Sequence, residues 1–527
     1  MSALVDVNVY LPNAATLICN VPKHKGASWL EEVNGDGAAT VQIHLDDPVF
    51  TAHPTVNAGN NILKLTLPGG HVVGGVVEDD AQVQLGSGEK ADRMCTLTGR
   101  GPRSVLSCAT VWPEYALRAH SPAARAFDFS SADGPWRISA DWAVPLGFLQ
   151  SGTGVRRSGS PAAWPDPLAQ WIWTTDPNAD TPAGRQWFRS NDADFTLGAT
   201  TTVRVWASAD NQTSVRIDGE EIVTTDPTNA YNWQQTFTTD IILAAGVHTL
   251  AAWVDNIPWA ATNPAAFLST VGTVDSQGKL VTVLLRTTPA SFKVHDYGND
   301  PGWHGAQILV ALIAEAQARG VNALTALTLS FTGLLDTAGN AWTNRQARTF
   351  NVTDDLLDVL NQISALEMDV EVTPNLVLNA WLRRGTDRSG TVTLGPLLSC
   401  TPGMSYGPVR NDALVRGANG WNHVTDSASV TAHGRRETGL TVGSADNTTQ
   451  AAAVGVAHFG EVSAPQQTLT VTFSSAAGPQ PHIDWFLGDT VMCLGLNGAL
   501  IAARAMSIAG VENEQDITWT VVLYPVA

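Results

Sequence analysis

Basic residues are scarce in this chain and nowhere clustered: 30 lysines and arginines face 49 acidic residues across 527 positions, a formal charge of −19. A surface that grips nucleic acid needs grouped Lys and Arg to neutralise phosphates, so the balance argues against one. Long apolar runs are also missing, and none approaches the roughly 18 residues of a membrane helix. The opening MSALVDVNVYLPN lacks a basic segment followed by an apolar core, so no secretory signal is expected. The five cysteines (Cys19, Cys95, Cys108, Cys400, Cys493) are odd in number and have no metal-ligand spacing. They read as buried thiols of a protein assembled in a reducing cytoplasm.

Catalytic signatures are lacking too. There is no His-Glu-x-x-His, no Gly-x-Ser-x-Gly and no phosphate-cradling Gly-rich loop. His458 and Glu461 in HFGEV lack the second histidine of a zinc protease. The acidic pairs Asp46-Asp47, Asp79-Asp80 and Asp354-Asp355 are sequence neighbours, whereas a glycosidase needs two carboxyls facing across a substrate. Thr353 or Asp354 is better explained as a helix cap. No enzyme is expected.

What is present is strand and turn. The length suggests three to four domains. Over residues 1–110, Val5, Val7 and Val9, then Val41, Ile43 and Leu45, then Leu63, Leu65 and Leu67 alternate with other residues, predicting short strands of a barrel or sandwich. Residues 111–165, rich in Pro, Ser, Gly and Ala, read as a connector. Residues 166–288 read as an antiparallel β-sandwich, with Asp218-Gly219 as a two-residue hairpin turn and GVHTLAAWV as one strand.

Residues 289–390 form the α+β section. Ile308, Leu309, Leu312, Ile313 and Ala316 fall at helical spacing before a stop at Gly320, and Leu356, Leu357, Leu360 and Ile363 mark a second helix. Strands around 327–331, 370–372 and 376–381 supply a sheet for them to cover. Residues 391–527 return to strands, beginning with TVTLG, with a short helix expected near 447–456. The fold class is thus mainly β with an α+β section. Flanking barrel-type domains hold an inserted sandwich.

Eight of the eighteen tryptophans lie between Trp164 and Trp259. Sugar binding uses an aromatic face against a pyranose and Asp or Asn on its hydroxyls, so Trp173, Trp187, Trp206, Trp233 and Trp259, with Asp210 and Asn211, are candidate carbohydrate-binding residues. Core packing is the competing role for each tryptophan. Gly434 before Arg435, Arg436 and Glu437 suggests a turn aiming charges at a neighbouring subunit, with a solvated surface as the alternative.

SADNQTSVRIDGEEI, AGVHTLAAWVDN and NPAAFL resemble galactose-binding-type β-sandwich modules, including those of the protective-antigen type. That resemblance implies sugar binding near Asp210 and Asn211. It leaves calcium open; no other cofactor is implied.

PGWHGAQILVALIAEAQARG, LSFTGLLDTAGNAW, FNVTDDLLDVLNQI, HGRRE and DWFLGDTV resemble minor tail proteins of long-tailed actinobacterial phages related to the baseplate hub, as does CNVPKHKGASWLEEVNGDGAATVQIHLDDP. The resemblance stops near 110 and resumes near 290, which implies an insertion between. It further implies a homotrimeric ring at the virion's tail tip, meeting a distal tail protein ring, the tape-measure protein and other minor tail proteins. Phage DNA would pass through that ring and host cell-wall glycan would be a possible contact. Trp29, Asp336, Asn340, Trp342, Gly488 and Asp489 would serve structure. A cell-envelope enzyme that binds or degrades glycans is the alternative reading.

Overall fold

A computed structural model gives the fold. It describes the chain apart from residues 1–3, 78–81, 85–92, 113–135, 138–142, 148–149, 152, 156–163, 174–183, 191–194, 219, 226–231, 257–264, 290, 297–303, 344–347, 352–353, 396, 406–408, 418–419, 442–451, 453–454, 457, 460–462, 477, 496–497, 514–515 and 527. The architecture is mainly β, with few helices. Among the described residues no helix is long and apolar enough to cross a membrane.

The first and last parts of the chain build one 13-stranded sheet. The join is the antiparallel pairing of Gly26–Glu32 with Leu500–Glu512, where Trp29 lies opposite Gly510. The alternation read from the sequence holds: Val5, Val7, Val9, Val41 and Ile43 all point inward. They share one apolar cluster with Leu469, Val471, Val521 and Leu523 from the far end of the chain. Residues 1–110 and 391–527 therefore close a common core instead of two separate ones.

Trp29 is the keystone of the join. Its ring meets Trp519 edge to face at 5.4 Å, a geometry favoured by the ring quadrupoles. A Cβ at Gly510 would come within 2.2 Å of the Trp29 ring, so only glycine lets the indole lie flat on that strand. Polar contacts fasten the same join. Glu512 accepts from the Leu4 and Val5 amides and lies 2.6 Å from His24 Nε2.

The α+β section forms the second large core. Helix Gly305–Ala318 ends before Gly320, whose φ of 77° only glycine adopts readily. Helix Leu356–Glu367 is capped by Asp355, whose side chain accepts from the Asp358 amide; the cap is thus not Thr353 or Asp354. The Asp354 carbonyl instead receives the Val111 amide, and the Leu356 amide goes to the Ala109 carbonyl, which pins the helix start to the end of the N-terminal region. Both helices share an apolar cluster with Ile62, Val76, Val105 and Leu106, so this section props the N-terminal part of the large sheet. Its own sheet has three strands, with Thr328–Leu329 parallel to Val377–Trp381 and Asp369–Val372 antiparallel to it.

The sandwich is wider than residues 166–288. Strands Gln150–Ser151 and Phe292–Asp296 belong to its first six-stranded sheet, and Thr153–Val155 to its second. Part of the expected connector is therefore strand. Trp173, Phe188, Phe267 and Phe292 pack in sequence between the sheets, with ring centroids 5.4, 5.1 and 6.1 Å apart, the first two pairs tilted and the last edge to face. Just outside the sandwich, Ala143–Gly147 pairs with Arg348–Asn351. All the sandwich strands pair among themselves.

Three further expectations change. GVHTLAAWV is two strands, Gly246–His248 and Leu250–Asn256, in different sheets. TVTLG makes only an isolated bridge, Thr393 to Met492. Residues 412–441 form their own three-stranded sheet, with helix Ser427–His433 capped by Asp426 between strands. The helix expected near 447–456 falls largely outside the described residues. Of the cysteines, Cys19, Cys95 and Cys493 are buried, but Cys108 is exposed at the end of a 3₁₀ turn and Cys400 is half-buried. Burial pushes the Cys19 and Cys493 thiols up to about 11.

Candidate functional site

Strand parity decides what each sandwich tryptophan does. Along Thr201–Asp210, Val203, Val205 and Ala207 face the core, so Arg204, Trp206 and Ser208 face outward. On that outer face a second aromatic cluster forms, with Trp171 as a buried floor and Trp164 and Trp233 half-buried against it. Trp164 Nε1 donates to Thr270 Oγ1 at 3.2 Å. Trp206 is 5% exposed, with the Arg204 guanidinium 6.0 Å from its ring, so it offers no free face. Trp173, 1% exposed, lies between the sheets. These two are corrected from stacking candidates to packing residues, because a pyranose cannot reach a ring that is so nearly buried. The side chain of Trp187 and all of Trp259 lie outside the described residues; the Trp187 backbone pairs with Trp253.

Trp233 is the candidate that sits well. It is carried by the 3₁₀ turn Asn232–Gln234, and that turn is moored to the Asp210-Asn211 corner. Asn232 Nδ2 donates to the Asn211 carbonyl at 2.8 Å, and Ser208 Oγ to the Asn232 carbonyl at 3.2 Å. Asn211 Nδ2 donates to Asp210 Oδ1 at 3.0 Å, and the Asn211 amide to the Asp255 carbonyl at 3.0 Å. The Asp210-Asn211 peptide is cis. Asp210 and Asn211 are buried, and Asp255 is half-buried beside them. An aromatic edge thus adjoins a corner rich in carboxylates and amides, the group types that bind sugar hydroxyls.

The other half of the sandwich motif is structural. Asp218, at a φ of 53° in the hairpin turn, takes the His248 Nδ1 contact at 2.6 Å and the Thr249 amide at 2.9 Å. His248 Nε2 faces the Ala244 carbonyl at 3.0 Å, and Phe195 stacks on the ring. Asp218 and the AGVHT segment, far apart in sequence, therefore form one clamp. In the sequence the two read as a hairpin turn and a separate strand, and their contact emerges only in the fold.

Arg435, Arg436 and Glu437 do follow a turn, with Gly434 at a φ of 74°. Arg435 is satisfied within the chain: Nε lies 3.2 Å from Asp412 Oδ2 and Nη1 3.9 Å from Glu437. The Arg436 backbone exchanges hydrogen bonds with Asn411. Arg435 and Glu437 border a cleft with Leu414 and His423, and Leu414 and Trp421 are exposed nearby. Sequence reading found the charges but missed these apolar neighbours, whose outward parity becomes visible only once the strands are known.

The remaining motif residues hold loops. Asp336 accepts from the Ala338 and Asn340 amides, from Asn340 Nδ2 and from the Leu382 amide. Burial opposes its charge, but these donors outweigh that and hold the carboxyl below its usual range. Trp342 Nε1 donates to the Thr332 carbonyl, with its ring edge-on to Phe331. Asp489 gathers the Thr386 amide, Arg388 Nε and the Phe486 amide. Of the acidic pairs, Asp47 caps a short helix through the Val49 amide and Asp355 caps another, while Asp79-Asp80 and Glu461 lie outside the described residues.

No protein-family model matches the chain, and no curated protein sequence matches it. The solved structures to which it is similar include phage tail proteins. One is the 43 kDa tail protein of prophage MuSo2 from Shewanella oneidensis, at 8% identity and a TM-score of 0.41 over 98% of this chain and 97% of that one. Another is the tail protein from Neisseria meningitidis MC58, at 8% identity and a TM-score of 0.42 over 99% and 96%. A third is a prophage tail protein from Listeria monocytogenes EGD-e, at 7% identity and a TM-score of 0.34 over 98% and 94%.

Proposed function

We propose that the chain is a structural protein of a phage tail tip, of hub type and trimeric, whose inserted sandwich faces outward and contacts host-surface glycan. The observation that carries this reading is the insertion geometry. Residues before and after the sandwich pair with each other at Ala143–Gly147 and Arg348–Asn351, while among the described residues the sandwich strands pair only among themselves. An insert of this kind leaves its host body intact. The body it interrupts is the part whose motifs resemble tail-hub proteins. Trimer contacts would run through the 412–441 sheet, where Arg435 and Glu437 adjoin exposed Leu414 and Trp421. A surplus of acidic groups would keep DNA mobile in the ring's channel.

Glycan would engage the sandwich at Trp233, whose turn the buried Asp210-Asn211 corner holds in place, with Trp187 and Trp259 as further contacts. The test compares the full chain with one in which residues 150–296 are replaced by a short flexible linker. Both are expected to give the same trimer mass by native mass spectrometry, and only the full chain should bind purified host cell wall. Trp233→Ala should weaken that binding roughly two- to tenfold, the value of one good aromatic contact. A monomeric linker variant beside a trimeric full chain would overturn the division of labour. Clearing of cell walls in a zymogram by the full chain would favour a glycan-degrading enzyme instead.

A further inference from the structure

The turn after Pro481 drives an imidazole into the seam of the large sheet. His482 adopts a φ of 64°, a left-handed conformation uncommon for a residue with a side chain. Its side chain is 1% exposed. The ring stacks face to face on His71, with centroids 3.9 Å apart and planes 3° from parallel. Trp519 and Phe486 close the site at 5.7 and 6.4 Å.

Glu31 reaches both imidazoles. Its Oε1 lies 3.1 Å from His71 Nε2 and its Oε2 2.9 Å from His482 Nε2. The second contact is close but misaligned. Glu31 Oε2 and both ring nitrogens of His482 have no hydrogen-bond partner among the described residues. Each buried polar atom left so costs stability, because its hydration is lost with nothing in exchange. The cluster stands apart from the sandwich corner and from the Arg435 cleft, and neither the fold nor the proposed function uses it.

We propose that Glu31, His71 and His482 bind a divalent transition metal ion of the zinc type. Two imidazoles and a carboxylate form a borderline donor set that suits such ions, with water completing the shell. The donor atoms all lie within 4.8 Å of one another. The oxygen-to-nitrogen contacts of 2.9 and 3.1 Å match the edge of a coordination shell. With metal-to-ligand bonds of about 2.1 Å, adjacent ligands stand about 3.0–3.4 Å apart. A donor pair that is a poor hydrogen bond is therefore a good ligand pair.

Rings held in parallel planes do not aim their in-plane lone pairs at one point, so one of the two must turn to share an ion. The His71 side chain, 24% exposed at the rim, is the ring free to turn until its Nε2 meets the same ion as that of His482. The ligands come from the strand Gly26–Glu32, from the segment just before Val72–Val77, and from the turn at residues 481–485. An ion here would fasten the first and last parts of the chain to each other, close to the Trp29–Trp519 contact. Closure by Trp519 and Phe486 suits a fastening role.

The full chain, stripped with a chelator and dialysed, is titrated with Co²⁺ and then with Zn²⁺, following cobalt visible absorption and bound metal by mass spectrometry. Wild type should take up about one ion per chain, show tetrahedral or five-coordinate cobalt bands, and melt at higher temperature when loaded. His71→Asn and Glu31→Gln should each weaken binding at least tenfold, and His71→Asn, altered at the rim, should keep the wild-type circular dichroism. Failure of wild type to show cobalt bands or retain zinc would overturn the proposal, whatever the variants do. Equal affinity in folded His71→Asn would also overturn it.

Discussion

At the scale of single residues, Glu512 ties the start of the chain to its last hairpin. It takes the Leu4 and Val5 amides on one oxygen and His24 on the other, and both members of the pair are buried. Burial disfavours the charged His24 ring, but the Glu512 hydrogen bond and the Val21 carbonyl outweigh it and raise its pKa above the ordinary value. Burial likewise disfavours charge on Glu512, and His24 with the two amides outweighs it and lowers that pKa. A raised histidine contributes fully below its unfolded value and loses its contribution as pH climbs through the folded one; a lowered carboxylate contributes above its unfolded value and loses it as pH falls through the folded one. The pair should therefore be fully stabilising between about pH 4.3 and 6.5, the ordinary values of the two groups. Above that window, wild type should lose about 2 kcal/mol as pH rises, the worth of a charge-assisted hydrogen bond. His24→Gln should show a flatter profile over the same range in urea melts.

At the scale of elements, the sequence revealed faces better than partners. Val5, Val7 and Val9 were readable because a period of two assigns a face whatever the strand pairs with. The break in GVHTLAAWV was not, because it depends on Asp218 capturing the Thr249 amide from 31 positions away and turning the chain into another sheet. Trp173 and Trp233 are alike in the sequence, yet one lies in the core and one half-buried on an outer face. Local composition does not distinguish a strand between two sheets from a turn laid on an outer face. Arg204 beside Trp206 was the available hint that this tryptophan faces outward. Asp218→Ala should leave the Thr249 amide and His248 without their acceptor. The sandwich should lose about 1–3 kcal/mol, while the transition of the large sheet stays in place. Differential scanning calorimetry with the two transitions resolved would check this.

At the scale of the whole molecule, insertion was legible as a resemblance that stopped and resumed, but the closure of the large sheet was not. No pattern in WLEEV announces that its partner strand is Leu500–Glu512. The pairing is set by complementary size, Trp29 over Gly510, and that is a property of two distant positions taken together. A chain ending at residue 495 should lack the cooperative transition of the large sheet. Its Gly26–Glu32 segment should then be open to protease, while the sandwich should resist digestion as it does in the full chain. Limited proteolysis with mass spectrometry reads both outcomes.

The seam also sets an order of events during synthesis. His24 and Glu512 are 488 positions apart. At translation speeds of about 5–20 residues per second, the strand carrying Trp29 waits roughly half a minute or longer for its neighbour. During that interval the emerging chain carries an open, apolar sheet edge, the kind of edge that invites pairing with other chains. The sandwich, whose strands all lie within the intervening stretch, can fold during the wait. The finished sheet thus doubles as a check on translation: the exposed side of Gly26–Glu32 is covered only once Leu500–Glu512 has been made.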